Sequence, residues 1–74
     1  MFEVIIEAVV NFECRTSGSA FDTKEAAWAH VRKAHERAMA NPQVKRADVF
    51  VFDMSQPDPN GFYTGKPIWQ NALK

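Results

Sequence analysis

Residues 2–14 read FEVIIEAVVNFEC, and side chains of different character alternate along this stretch. One parity carries the acids Glu3, Glu7 and Glu13, with Ile5 and Val9 between them. The other parity is apolar throughout: Phe2, Val4, Ile6, Ala8, Val10, Phe12 and Cys14. A period of two is typical of a β-strand with one buried face. At roughly 3.3 Å per residue such a strand would exceed about 40 Å, so we expect a bend or bulge within it.

A helix should follow between residues 22 and 40. The polar stretch 16–19, Thr-Ser-Gly-Ser, is predicted as the loop that leads into it. Asp22 suits the N-cap position, and Glu25 stands three residues later, as in a capping box. Residues 41–42 are Asn-Pro, and the helix should end there because the residue before a proline disfavours the α region. The apolar stripe of this helix consists mostly of small side chains: Ala27, Val31, Ala34 and Ala38.

Two further strands are predicted in the second half of the chain. Residues 49–52 read VFVF and are apolar at both parities, which is typical of a strand covered on both faces. Residues 55–61 read SQPDPNG and predict a loop, and a short last strand is predicted over residues 68–73. The order β-α-β-β indicates an α+β fold in which one amphipathic helix packs on a mostly antiparallel three-stranded sheet. We expect residues 1–74 to form one small domain.

The composition argues against several classes of protein. The chain has 74 residues with nine basic and nine acidic side chains, so we expect no dominant, sequence-independent binding to nucleic acid. Cys14 is the only cysteine, which fits a reducing compartment and allows no disulfide within the chain. The first residues carry acids where a secretion signal carries bases, and no apolar run is long enough to span a membrane. We therefore expect a cytoplasmic protein.

Basic residues concentrate in the middle of the chain. Residues 23–46 carry a net charge of +4, whereas residues 1–22 carry −3 and residues 47–74 carry −1. The residues that could contact nucleic acid are Arg32, Lys33, Arg37, Lys45 and Arg46. A weak nucleic-acid-binding domain that uses the basic helix is therefore one alternative function.

No catalytic or metal site is expected. His30 and His35 are five residues apart, about 140° around a helix, so they cannot readily ligate one ion. His35 falls beside the apolar stripe and Cys14 in the apolar parity of the first strand, and we expect both in or at the edge of the core. A nucleophile, a base and an oxyanion donor cannot be placed together from these residues, so we expect neither an enzyme nor a cofactor.

Apolar side chains are in surplus over what one helix can cover. If the even-numbered parity of the first strand faces the helix, Ile5 and Val9 face away from it, as does one parity of residues 49–52. The candidate partner-binding residues are Ile5, Val9, Phe50, Phe52, Phe62, Tyr63 and Trp69. A contiguous exposed apolar patch typically marks an interface, and the alternative is that the loop after residue 54 folds over it.

The sequence therefore favours a small non-catalytic protein-binding module. By analogy alone, compact domains of this size without catalytic motifs are common among phage and mobile-element proteins that bind and inhibit a host machine. A homodimer that pairs its sheets face to face or edge to edge is the second alternative, beside the nucleic-acid-binding domain. The expected partner is another protein or a second copy of the chain, and we expect no contact with a membrane or a metal ion.

Overall fold

The computed structural model describes residues 1–54 and 67–74. An antiparallel sheet with the strand order β2-β1-β3-β4 carries a helix on one face, which confirms the α+β prediction in this coarse form. The elements are β1 (Phe2–Val10), β2 (Glu13–Phe21), α1 (Lys24–Ala40), β3 (Val44–Asp53) and β4 (Trp69–Ala72). The described residues thus contain four strands in the order β-β-α-β-β, whereas the sequence pattern predicts three in the order β-α-β-β.

The additional strand arises because the chain reverses at residues 11–12. Asn11 and Phe12 have φ values of 50° and 69°, and Val10 lies opposite Glu13 across the turn. Positive φ at both central residues is typical of a two-residue hairpin turn, whose twist matches that of the flanking strands. The prediction of one strand over residues 2–14 is therefore wrong. The predicted loop at residues 16–19 is also wrong, since these residues lie inside β2 and pair with β1.

The core lies between α1 and the sheet. Val4 of β1 and Val49 and Val51 of β3 are almost fully buried, with exposed fractions of 1%, 0% and 0%. Ala27 of α1 is equally inaccessible, and its small side chain lets the helix lie close to these valines. The even-numbered residues of β1 therefore face α1. Leu73, directly after β4, is buried in the same core.

The helix begins one residue later than the N-cap prediction. Thr23 is the N-cap, and its Oγ1 accepts a hydrogen bond from the backbone N–H of Ala26 at 3.2 Å. Asp22 is exposed and lies outside the helix, so the predicted cap at Asp22 is wrong. Glu25 consequently occupies the second helical position, where its charge favours the positive end of the helix dipole.

The helix ends at Ala40, as the Asn-Pro pair predicts. The N–H of Asn41 donates to the carbonyl of Arg37 at 3.1 Å and closes the last turn. Lys74 Nζ donates to the carbonyls of Ala38 at 2.9 Å and Asn41 at 2.8 Å, which satisfies acceptors at this helix terminus. The described residues contain one helix, α1. It is not long and apolar enough to cross a membrane.

Replacing Thr23 with Ala should lower the free energy of unfolding by about 1 kcal/mol, because the Ala26 N–H loses its acceptor. Asp22→Ala is the matched control and should change the stability by less than about 0.5 kcal/mol, since this side chain is exposed outside the helix. Urea unfolding of the three proteins measures both values. An equal loss from the two variants would contradict the assignment of the cap to Thr23.

Candidate protein-binding surfaces

The sheet face turned away from α1, which we call the open face, carries alternate residues of all four strands. Its members are the odd-numbered residues 3–9 of β1, the even-numbered residues 14–20 of β2, the even-numbered residues 46–52 of β3, and Gln70 and Ala72 of β4. The described helix packs on the other side of the sheet, against the core. The open face is therefore the surface on which a partner could meet the sheet.

Apolar side chains cross the open face through Ile5. The strand registers place Ile5 beside Phe50 on one side and Gly18 on the other, and both apolar side chains are half-buried. Because Gly18 has no side chain, the residue of β2 directly opposite Ile5 does not cover it. Val9 lies further along β1 on the same face, beyond Glu7, and extends the apolar surface. A depression of about 400 Å³ lies beside Phe50 on this face, and charged side chains line it, including Glu7, Arg46 and Asp48.

A charged row interrupts the apolar surface at Glu7. Glu7 lies opposite Thr16 on β2 and Asp48 on β3. Arg46 Nε donates to Asp48 Oδ2 at 3.2 Å, and these side chains are 74% and 29% exposed. Like charges directly opposite each other repel, and Arg46 neutralises one of the two carboxylates. A cationic group from a partner would therefore be stabilised at this row.

The structure brings together four of the seven predicted partner-binding residues. On the open face lie Ile5, Val9, Phe50 and Phe52. Trp69 lies on the other face of the sheet, opposite Val51, and its ring centroid is 5.5 Å from that of Trp28. Phe62 and Tyr63 lie outside the described residues. The open face thus carries the aliphatic and phenylalanine side chains of the predicted set, whereas Trp69 contacts Trp28 of α1 on the other face and is 37% exposed.

Sequence reasoning missed Phe12 as a surface residue. The alternation assigns it to the core, but it lies at the tip of the β1–β2 hairpin and is 98% exposed. Cys14 is also exposed, on the open face opposite Val9, so its predicted burial is wrong. Both errors follow from the turn, which changes the parity that faces α1. The available signal was Asn11, because asparagine tolerates positive φ and commonly begins a two-residue hairpin turn.

The two histidines lie in separate environments along α1. His30 is half-buried, and its ring centroid is 5.1 Å from that of Phe21. His35 is exposed and lines a surface cleft with Val31, which packs against the core, and with the buried Leu73. Across residues 1–54 and 67–74, no three side chains of His, Cys, Asp or Glu come together as metal ligands could.

The basic residues that could contact nucleic acid do not share one surface. Three of them are exposed on α1: Arg32, Lys33 and Arg37. Arg46 belongs to the open face, on the opposite side of the sheet, where it pairs with Asp48. Lys45 Nζ donates to the carbonyl of Pro42 at 3.3 Å. A nucleic-acid backbone that followed the helix would therefore not reach Arg46.

A cleft of about 410 Å³, which we call the helix–hairpin cleft, lies between α1 and the β1–β2 hairpin. Polar groups line it from both sides, with Ser17 and Ser19 on β2 and His30 and Arg37 on α1. Its walls are otherwise formed largely by small apolar side chains such as Ala34. The cleft exists because side chains of this size leave space between the helix and this side of the sheet.

Comparisons of the chain with protein-family models, with curated proteins and with solved structures found no match. Its function is therefore inferred from the surfaces described above.

Proposed function

We propose that this chain is a small, non-catalytic protein-binding module and that its partner docks on the open face. The observation that supports the proposal is the position of Ile5 and Phe50, which lie side by side on the sheet face opposite the described helix. The charged row at Glu7 borders them. Apolar anchors with polar groups at their margin are the usual composition of protein interfaces.

The charge of the open face indicates the kind of partner. Among the described residues of this face, Glu3, Glu7 and Asp48 are acidic and Arg46 is the only base, which gives a net charge of −2. This sign disfavours a phosphate backbone, which binds through basic side chains. Glu7 has no ion pair among the described residues, so it can accept an Arg or Lys of the partner. The proposed partner therefore presents a basic side chain beside an apolar one.

The biological setting that we propose is inhibition of a host machine by a phage or mobile-element protein. The support is the analogy of size and the lack of a catalytic motif in the sequence. Inhibition of this kind requires a docking surface and no chemistry. A protein that presents one exposed sheet face would meet that requirement by covering a functional surface of its target.

Phe50→Gln should weaken capture of the partner about 30-fold, because truncation of an interface anchor costs about 2 kcal/mol or more. The experiment immobilises the wild type and two variants and exposes each to a bacterial lysate. Lys33→Gln is the matched control, since it places the same amide at an exposed position on α1. We expect the wild type and the control to retain the same stoichiometric partner.

Glu7→Lys should weaken the same complex, since it reverses the charge offered to the basic side chain of the partner. Circular dichroism of each variant verifies the fold before capture. If no protein binds specifically to the wild type, or if Phe50→Gln retains the partner as fully as Lys33→Gln does, the open face is not the docking surface.

A further inference from the structure

One hydrogen-bonding side of β2 has no partner strand among residues 1–54 and 67–74. β2 is an edge strand of nine residues, and in a two-residue hairpin the closing pair is hydrogen-bonded. Glu13 and every second residue after it therefore direct their backbone groups toward β1. The residues whose N–H and C=O groups point away from the sheet are Cys14, Thr16, Gly18 and Ala20. None of these backbone groups has a partner in the described part of the chain.

Over residues 16–21, β2 also lacks the features that usually protect an edge strand. Natural edges are shortened, bulged, or interrupted by proline or lysine, because an open edge accepts another strand. The pairing of β2 with β1 is unbroken over nine residues, without a proline or lysine, and residues 16–21 carry no charge. The opposite edge, β4, has four residues and is protected by its shortness. β2 is therefore the edge to which a further strand can add.

Gly18 provides a second observation at this edge. Glycine within a strand lowers stability by roughly 0.5–1 kcal/mol relative to alanine. A Cβ at this position would meet Glu3 Oε1 at 3.8 Å, which is an ordinary contact, and the backbone is outside the left-handed region. The fold of one chain therefore does not require glycine here. A glycine in a strand often marks the close approach of another backbone.

We propose that β2 pairs antiparallel with β2 of a second copy of this chain, around a two-fold axis at Ser17. Ser17 is the midpoint of Glu13–Phe21, so this register overlaps all nine residues. Two four-stranded sheets then join into one of eight strands. The pairing supplies about eight backbone hydrogen bonds, because each hydrogen-bonded pair exchanges two. The residues whose backbone groups point away from β1 then form the hydrogen-bonded pairs, Cys14 with Ala20 and Thr16 with Gly18.

The same register places no like charges opposite each other, which favours a second copy as the occupant of this edge. Arg15 lies opposite Ser19 of the second copy, and Glu13 lies opposite Phe21. A register centred on Arg15 would place two guanidinium groups opposite each other and would shorten the overlap. The strand thus complements itself along its whole length.

The two-fold axis is perpendicular to the sheet, so both helices lie on the same face of the joined sheet. The helix–hairpin clefts of the two copies then face each other across the seam, because Ser17 and Ser19 line each cleft from β2. Surface around the clefts adds to the area that the edge pairing buries. The open face is on the other side, so this proposal does not depend on the proposed function.

Site-specific cross-linking tests the register. In a Cys14→Ser background, Ser17→Cys should form an intermolecular disulfide, because the Cα atoms of a non-hydrogen-bonded antiparallel pair are about 4.5 Å apart, within disulfide range. Ser19→Cys is the matched control, since the two copies of that position would be roughly 13 Å apart along the strands. We expect cross-linking at position 17 to be at least about tenfold faster. Equal rates, or faster cross-linking at position 19, would overturn this register.

Light scattering across a range of concentrations tests the assembly itself. We expect the wild type to reach twice the chain mass of 8.4 kDa. Ser17→Lys and Ser17→Glu should each raise the dimer dissociation constant about fivefold or more, and an equimolar mixture should restore association. Phe50→Gln should remain dimeric, which separates this proposal from the proposed function. A wild type that stays at the mass of one chain, or a dimer that neither Ser17 variant weakens, would overturn it.

Discussion

Replacing Val49 with Asp should leave the protein unfolded at neutral pH. Val49 is 0% exposed and faces α1, and the buried side chains of the described core are all apolar. The new carboxylate would find no buried partner there, and burying an unpaired charge costs several kcal/mol. A domain of this length has a free energy of unfolding of roughly 4–11 kcal/mol. Far-UV circular dichroism and the dispersion of amide proton shifts measure the loss.

Phe50→Asp is the matched control for Val49→Asp, because it introduces the same group one residue further along β3. Phe50 lies on the open face, where a carboxylate remains within reach of water. This variant should stay folded with a smaller loss of stability. A folded Val49→Asp protein, above all together with an unfolded Phe50→Asp protein, would mean that β3 presents the opposite face to α1.

The sequence alone allows either parity of residues 49–52 to face the helix. Valine and phenylalanine are both apolar, so periodicity does not separate Val49 and Val51 from Phe50 and Phe52. The structure selects the valines, and the physical reason lies on α1. Ala27 is fully buried, so the helix lies close to the sheet and leaves room for valines rather than for phenyl rings. The phenylalanines consequently belong to the open face.

The hairpin could not be predicted from alternation because its turn has two residues. Val10 and Glu13 share a sheet face, although they differ in parity. The apolar character of Phe12 and Cys14 continues the pattern of β1 by coincidence, so the pattern conceals the reversal. In the sequence, only Asn11 marks the turn, because asparagine tolerates a positive φ. Phenylalanine is an unusual residue at the second turn position, where Phe12 also has a positive φ. Hydrophobic periodicity reports the faces of a strand but not its end.

The candidate site was predictable where parity alone determines the face. Ile5 and Val9 followed from the alternation of β1, since the even-numbered residues pack on the helix. Trp69 did not, because its face depends on the register of β4, which places it opposite Val51. β4 has four residues without a clear alternation, so the sequence carries no signal for that register. The edge of β2 that is unpaired among the described residues was equally hidden, because residues 16–19 within this strand are predicted as a loop.

Phe12→Gly should stabilise the protein by about 0.5–1 kcal/mol, although it removes an aromatic ring. Phe12 adopts a φ of 69° and is 98% exposed, so little packing is lost with the ring. The left-handed conformation costs an L-residue other than glycine roughly 1–2 kcal/mol, and glycine avoids this cost. The greater freedom of glycine in the unfolded chain offsets roughly 0.5–1 kcal/mol of the gain. The midpoint of thermal unfolding should rise by about 4–8 °C per kcal/mol.

Two further substitutions show whether backbone conformation is the cause. Asn11→Gly should change the stability by only a few tenths of a kcal/mol, because asparagine already tolerates its φ of 50°. Phe12→Pro should destabilise the protein by more than about 1 kcal/mol, because proline fixes φ near −65° and cannot form this turn. Most exposed positions vary by less than about 0.5 kcal/mol, so opposite effects of glycine and proline at position 12 would single out the turn. A loss of stability in Phe12→Gly would instead mean that the phenyl ring contributes contacts that outweigh the conformational cost.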